Sequence, residues 1–337
     1  MVRELLEIVF AGGDLSREQS KDVFGRLVRG ELSEIEIAAL VAALKTKGER
    51  PEEIAGAAEA LRAAATPFPR PAFSYADTCG TGGSGLHTVN VSTAAAFLAA
   101  ACGVPVAKHG NRSVSSRCGS ADVLEACGVH LTPTPEVAAA CLEEVGLCFL
   151  MAPQYHAGLR HAGPVRRALK TRTVFNLLGP LVNPATPVWQ VMGVYAPQYC
   201  APLARTLGLL GCEAALVVHG SGLDELALHG PTTAALWKDG VLSELELTPE
   251  QAGLERFPVE ALAGGEPAEN AVWLADVLAG KGTPAHNAAL TLNVGALLWI
   301  TERAEDLAAG TAAAREVLLS GAPAERLAKL AEASHRA

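Results

Sequence analysis

The sequence predicts a two-part α/β protein, in which a small all-helical domain precedes a large α/β domain with a mainly parallel central sheet. Three observations predict it. The first 65 residues carry helical periodicity and no strand pattern. "TPFPRPAF", residues 66–73, then places three prolines in eight positions and reads as a linker. Beyond it, short apolar runs alternate with helix-like runs, as in a sheet whose parallel strands are joined by crossover helices.

In chain order, "SREQSKDVFGRLVRG" places Val23, Leu27 and Val28 on one helical face, with Ser16 as the N-cap. "LSEIEIAALVAALKTKG" begins with Ser33 and has Glu36 three residues later, which is a capping box. In "RPEEIAGAAEALRAAA", Pro51 occupies a first helical position, where its missing N–H is not needed. The boundaries expected are 1–65 for the helical domain and 74–337 for the α/β domain. In the second part, "VPVAKHG", "CFLMAP", "QVMGVYA" and "AALVVHG" read as strands. "SADVLEACGVHL", "PEVAAACLEEVG" and, from about residue 285, "NAALTLNVGALLWI" and "AERLAKLAEASHRA" read as helices. No internal repeat is evident.

Bulk composition narrows the function. The 337 residues are 50% hydrophobic but only 5% aromatic, so the core is built mainly from Ala, Leu and Val. A net charge of −9 repels nucleic acid and anionic membranes unless a basic patch intervenes. The eight cysteines form no C-x-x-C pair and sit in apolar stretches, so buried reduced thiols are expected rather than a zinc site. The charged N-terminus has no signal-peptide core, and the longest apolar run, 94–107, is too short to span a membrane. A cytoplasmic protein is expected.

"DTCGTGGSGLHTVNVSTAAAF" contains Gly80, Gly82 and Gly85 at the spacing of a dinucleotide-binding loop. That reading requires an acidic residue about 20 positions later for the ribose hydroxyl. It fails, because no Asp or Glu lies between Asp77 and Asp122. The same window holds His87, Lys108, His109, Arg112 and Arg117, with hydroxyls at Thr81, Ser84, Thr88, Ser92, Thr93, Ser113, Ser115 and Ser116. Glycine-rich backbone can approach phosphate closely, and "NVST" is expected to cap a helix beginning near Thr93 whose N-terminus favours anions. "KHGNRSVSSRCGS" is a second loop of the same character, so a ligand with two phosphate groups is expected.

"GTGGSGLHTVNVSTAAAF" and "VAKHGNRSVSSRCGSADVLEACG" resemble the anthranilate phosphoribosyltransferases. "APQYHAGLRHAGPVRRALKTRTVFNLLGPLVNPA", residues 152–185, is similar to their substrate segment, and "VVHGSGLDELALHGPT", residues 217–232, to their acidic metal segment. The resemblance runs over nearly the whole chain. It departs at Ser84, where the family usually has Asp after G-T-G-G, so a carboxylate contribution there is lost.

The resemblance implies a nucleoside-phosphorylase-like phosphoribosyltransferase fold, its helical domain completed by part of 160–190, and a homodimer paired through that domain. It implies transfer of the phosphoribosyl group of phosphoribosyl pyrophosphate to the amine of anthranilate, with Mg²⁺ as cofactor. By motif position, Gly80, Gly83, Ser84, Thr88, Asn90, Val91, Ser92 and Thr93 would contact phosphoribosyl pyrophosphate. So would Lys108, His109, Gly110, Asn111, Arg112, Ser113, Val114, Ser115, Ser116 and Ser120. Asp224 and Glu225, with Ser92, would hold the metal. Arg166, Asn111 and Gly80 would meet anthranilate, with Pro180 as an apolar wall, whereas Arg160 and Arg167 read as surface or hinge residues and Tyr155 and His156 equally well as structural ones. No general base is assigned, because an aniline nitrogen can lose its proton after attack.

Two relatives of the same architecture compete. A nucleic-acid-binding paralogue would show a basic surface and eroded positions at Arg166, Asp224 and Glu225, all of which are present. A pyrimidine nucleoside phosphorylase would carry a lysine-rich motif in the first loop, and "DTCGTGGSG" has no lysine.

Overall fold

The computed structural model describes residues 2–83, 85, 86, 88–113 and 117–336. The N-terminal part is helical throughout: α1 (Val2–Phe10), α2 (Arg17–Val28), α3 (Glu34–Lys47) and α4 (Pro51–Ala63). The local signals act as expected. Ser16 and Ser33 each close a capping box, and Pro51 opens α4. Helices α2 and α4 approach closely because Gly56 has no side chain; a Cβ there would stand 2.2 Å from the Arg17 carbonyl oxygen. The buried carboxylate of Glu53 knits the unit together. It accepts from the Leu15 and Arg50 backbone N–H groups, both at 2.8 Å, and pairs with Lys47 at 2.7 Å.

The remainder wraps one seven-stranded sheet ordered β3-β2-β1-β4-β5-β6-β7. Its strands are β1 (Ala76–Gly80), β2 (Val106–Gly110), β3 (Leu147–Met151), β4 (Trp189–Gly193), β5 (Ala214–Gly220), β6 (Thr232–Lys238) and β7 (Val241–Leu247). The first five pair in parallel and the last two antiparallel. β6 and β7 are absent from the expected strands, although Asp239-Gly240 between them is a hairpin signal and both residues take positive φ, 52° and 77°.

Alternate residues of each central strand feed two different cores. Ala214, Leu216 and Val218 face a layer containing α5 (Val91–Ala101), while Ala215 and Val217 face the opposite layer. The first layer also holds α6 (Ser120–Ala126) and α7 (Pro135–Val145). Between β3 and β4 run the short α8 (Ala152–Tyr155), α9 (Gly163–Leu169) and α10 (Phe175–Leu178), and α11 (Cys200–Leu209) joins β4 to β5. Val165, Phe175, Leu177 and Leu178 share one apolar cluster with the N-terminal helices, and α11 joins it through Leu203 and Leu207. The C-terminal helices α12 (Pro267–Leu278), α13 (Pro284–Ile300), α14 (Leu307–Leu319) and α15 (Ala322–Ala333) complete the first layer. All eight cysteines are free thiols, buried or half-buried.

Two histidines are buried where the layers meet. His109 and His156 stand edge to face, 5.3 Å between centroids. Desolvation pushes His109 down to about 3 and His156 down to about 4. Because these folded-state values lie below the unfolded value, the stability they contribute is present above pH 6.5 and lost as pH falls toward 4. Burial pushes Asp77 up to about 6, and that works in the opposite direction, so the effect is read as a difference. Between pH 6.5 and 4.5, His109→Gln is expected to lose about 2 kcal/mol less than the parent, at about 1.4 kcal/mol per unit. Urea unfolding at the two pH values measures it; equal losses would show that His109 protonates freely in the fold.

Candidate active site

The chain lays down β1, β2 and β3 in one direction, then returns to place β4 on the other side of β1. The carboxyl ends of β1 and β4 therefore flank a topological switch point, where open α/β sheets bind ligands. Both strands end in glycine there, and Gly80 is paired with Gly193. The reason is steric. A Cβ on Gly193 would fall 1.5 Å from the Asp224 carbonyl oxygen, and one on Gly80 would fall 2.3 Å from its carboxylate oxygen. The backbone of the acidic turn after β5 thus lies directly on the switch point.

That turn ties down both ends of the first glycine loop. Asp224 Oδ2 accepts from Gly82 N–H at 2.8 Å, and Glu225 Oε1 accepts from Ser92 N–H at 3.0 Å. A glycine-flanked turn in the sequence suggests carboxylates free of structural duty, yet here both hold backbone donors 142 and 133 residues away. Loss of hydration, reinforced by the adjacent Asp224 charge, pushes the Glu225 carboxyl up to about 8. The small cavity beneath them is lined by Thr78, Ser92, Gly193, Asp224, Glu225 and Asn293. Among the described residues no group of three or more His, Cys, Asp or Glu gathers to hold a metal. Two carboxylates and a hydroxyl suit Mg²⁺, a hard cation that takes one or two carboxylates and completes its shell with water and substrate phosphate.

The helix after the first loop, α5, starts at Val91 rather than near Thr93, and Asn90 stands at its N-cap without a side-chain capping bond. Asn90 is used elsewhere: its amide donates to the Cys118 carbonyl at 3.1 Å and accepts from Asn270 at 2.8 Å. Val91 and Thr93 are buried, which leaves Ser92 the more accessible side chain of that first turn. Thr88 forms a β-bridge with Ala263. Ser84, His87, Val114, Ser115 and Ser116 lie outside the described residues, as does the departure at Ser84.

The window that is free of acid in the sequence is not free of it in space. In the second loop, Asp122 accepts from Ser113 N–H at 3.0 Å and from Gly119 N–H at 2.9 Å. Arg112 pairs with Asp122 and Glu125 at 3.0 and 2.7 Å, so its charge is already met. Asn111 accepts Arg112 N–H on its side chain and Ser120 Oγ on its carbonyl. Gly110 leaves room for Ser120 Oγ, which would be 2.4 Å from a Cβ. Successive residues of β2 point to opposite faces. Lys108 is buried beside Asp77 and Glu225 and donates to the Thr78 carbonyl at 2.6 Å. His109, on the other face, has Nδ1 3.2 Å from the Gly179 carbonyl.

The substrate segment brings Arg166 onto α9, exposed, with its guanidinium 5.6 Å from the centroid of Phe175. Arg160 and Arg167 are exposed. Pro180 is buried and its carbonyl is taken by Gln190, so it offers little open wall. Tyr155 and His156 are buried, consistent with structural roles.

Sequence reasoning missed Arg172. Its guanidinium stacks 4.1 Å from the centroid of Tyr195 and donates to the Gly83 carbonyl. Tyr195 N–H in turn donates to Thr81 Oγ1 at 3.1 Å, so the end of β4 and Arg172 hold the loop from two sides. Nothing in "ALKTRT" distinguishes Arg172 from its basic neighbours. Gly193 did carry a signal, since a lone glycine in a strand often marks a close backbone approach.

Comparison with known proteins gives the lineage. Residues 73–324 match the α/β domain of a glycosyl transferase family, and residues 3–65 match the helical bundle domain of a glycosyl transferase family. The chain is similar to the anthranilate phosphoribosyltransferase of Sorangium cellulosum, 62% identical over 98% of this chain and 94% of that one. The corresponding protein of Aeromonas hydrophila is 56% identical over 98% and 97%. Among solved structures, that of anthranilate phosphoribosyltransferase from Thermus thermophilus superposes with a TM-score of 0.94 at 43% identity, covering 98% and 99% of the two chains. The Saccharomyces cerevisiae enzyme in complex with PRPP and Mg superposes with a TM-score of 0.89 at 25% identity, covering 99% and 97%.

Proposed function

The chain belongs to the glycosyl transferase family of the anthranilate phosphoribosyltransferases, and on that premise we propose how its cleft divides the work. It transfers the phosphoribosyl group of phosphoribosyl pyrophosphate to the amine of anthranilate, with release of pyrophosphate. The observation that carries the reading is the acidic turn seated on the Gly80–Gly193 switch point and hydrogen-bonded to both ends of the first glycine-rich loop.

The bond broken is a glycosidic C–O bond. The ribosyl carbon becomes cation-like while negative charge grows on the leaving group, so catalysis rests on positioning and on charge around pyrophosphate. Mg²⁺, the cofactor, supplies positive charge at the pyrophosphate. Asp224, Glu225 and Ser92 would hold it. The N–H groups of Gly82 and Ser92, which now donate to the two carboxylates, are positioned to serve phosphate oxygens instead. Gly80, Gly83, Thr88 and Asn90 with the first turn of α5, and Lys108 and Gly110 to Ser113 with Ser120, line the phosphoribosyl pyrophosphate site, whereas His109 turns to the opposite face of β2 and stays outside it. Asn111, Gly80 and Arg166 form the anthranilate site. Domain limits of 1–65 and 74–337 are supported by the family matches over 3–65 and 73–324, and completion of the helical unit by part of 160–190 is supported by Val165, Phe175, Leu177 and Leu178 in its apolar cluster. A homodimer paired through the helical domain is supported by the exposed Ile35 and Phe10, and light scattering reads its mass; a cytoplasmic location accords with the biosynthetic reaction. No described helix is long and apolar enough to cross a membrane. The charge of −9 disfavours nucleic acid and leaves the binding of anionic substrates to local donors and the metal.

The test is anthranilate fluorescence. Its loss requires phosphoribosyl pyrophosphate and Mg²⁺ together; unchanged fluorescence at high enzyme, with both substrates verified, rejects the assignment. Arg166→Ala is expected to weaken anthranilate binding by about 10- to 150-fold, the equivalent of losing a charge-assisted contact of roughly 1.5–3 kcal/mol. Phosphoribosyl pyrophosphate binding should change little. Calorimetry with each ligand separates the two, and the opposite pattern would move Arg166 to the phosphate site.

A further inference from the structure

We propose that His219 is the positioning residue of the acidic turn, acting through a single ring tautomer that clamps the turn onto the end of β4. His219 lies on β5, just before that turn. Its Nδ1 is 2.8 Å from the Val194 carbonyl oxygen, and its Nε2 is 3.1 Å from the Gly222 amide nitrogen. A carbonyl can only accept and an amide N–H can only donate. Nδ1 therefore donates and Nε2 accepts. Asn and Gln side chains can each reproduce one half of this arrangement.

The clamp lies where precision matters. Val194 follows Gly193, on which the Asp224 backbone rests, and Gly222 stands two residues before Asp224. The turn needs such support, because its backbone departs from ordinary conformations. Ser221 takes φ 48° and Gly222 φ 104°, closed by reciprocal Gly220–Leu223 hydrogen bonds at 2.9 and 3.0 Å. His229 sits 3.0 Å from the Ser221 carbonyl and Ser221 Oγ donates to the Pro231 carbonyl at 2.7 Å, so Gly222 is the part of the turn that His219 alone secures among these side chains. Losing that contact frees the turn to shift, and Asp224 and Glu225 move with it. Groups that orient metal ligands in this way commonly alter metal affinity by about 10- to 100-fold when removed.

The metal part of the inference rests on the proposed function, but the clamp itself can be read without substrate. In wild-type protein, long-range ¹H–¹⁵N NMR should show a protonated Nδ1 and a bare Nε2 on His219, and the Gly222 amide should exchange slowly. His219→Asn keeps a donor near the Nδ1 position and loses the acceptor for Gly222. His219→Gln can place an amide oxygen near the Nε2 position. The expected result is a roughly 10-fold higher Mg²⁺ requirement for His219→Asn in both turnover and calorimetric Mg²⁺–pyrophosphate binding, with faster Gly222 exchange. His219→Gln should recover most of both, and KM for anthranilate should stay within about twofold, since the clamp touches no part of that site. A bare Nδ1 in the wild type, unchanged Gly222 exchange in His219→Asn, or equal impairment of the two variants would overturn the proposal. If the wild type consumes no anthranilate but the tautomer and exchange results hold, the functional reading fails and the clamp stands.

Discussion

Asp224→Asn combined with Glu225→Gln is expected to lower kcat/KM by about 10²- to 10³-fold at fixed Mg²⁺, comparable to removing a preorganised electrostatic element from an active site. The amide replacements are chosen because the two carboxylates also accept from Gly82 and Ser92 N–H. Alanine at these positions would leave those donors without partners and confuse loss of charge with loss of structure. Asn and Gln keep an acceptor oxygen at each position and remove the carboxylate form that Mg²⁺ would bind. Thermal stability should therefore stay close to that of the parent, while the Mg²⁺ concentration for half-maximal activity rises sharply. Mg²⁺ titration of the rate, with calorimetry of Mg²⁺–pyrophosphate binding, checks it. A folded double variant with the parent's Mg²⁺ profile would remove the pair from the metal site.

Glu53→Ala is expected to cost about 3–5 kcal/mol of stability, the range for breaking a buried ion pair by removing one partner. The side chains of Lys47 and Glu53 are 7% and 2% exposed, so the pair is poorly screened by water. Removing the carboxylate strands the Lys47 ammonium with Asp14 as its remaining acid at 2.8 Å, and it orphans the Leu15 and Arg50 N–H groups. Glu53→Gln keeps an acceptor for a backbone donor and should cost less. Denaturant unfolding of both variants measures the difference. A loss below about 1 kcal/mol for Glu53→Ala would mean that water or Asp14 takes over the role of the carboxylate. The consequence reaches the cleft: α3, which carries Lys47, also hydrogen-bonds through Lys45 to Thr171, next to Arg172 and its contact with the glycine loop.

These two experiments bear on different kinds of information. Glu53 stands in a helix whose start was legible from Pro51, because helix caps and apolar periodicity act within a few residues of chain. Its buried role was not legible, because although Arg50 and Lys47 are near in the chain, the Leu15 N–H that it also accepts is 38 residues away and its burial depends on packing between helices. The glycine loops were visible for the same local reason, and long motifs were enough to indicate family, reaction and cofactor.

What the sequence by itself determined is whatever a short stretch of chain decides: a helical N-terminal unit with α2, α3 and α4, the proline linker, four of the five parallel strands, the two loops and the adjacent acids. The tertiary structure decided which charges meet. Lys108 and Arg112 read as free cations in an acid-free window, yet Arg112 is paired with Asp122 and Glu125, and Lys108 is buried beside Asp77 and Glu225. It also decided why Gly80 and Gly193 are glycines, how His219 is fixed, and that Arg172 reaches Gly83. The physical reason is range. Caps, turns and periodicity are set by neighbours in the chain, whereas electrostatic and steric complementarity depend on through-space distance, which exists only once the sheet has brought β1, β4 and β5 side by side.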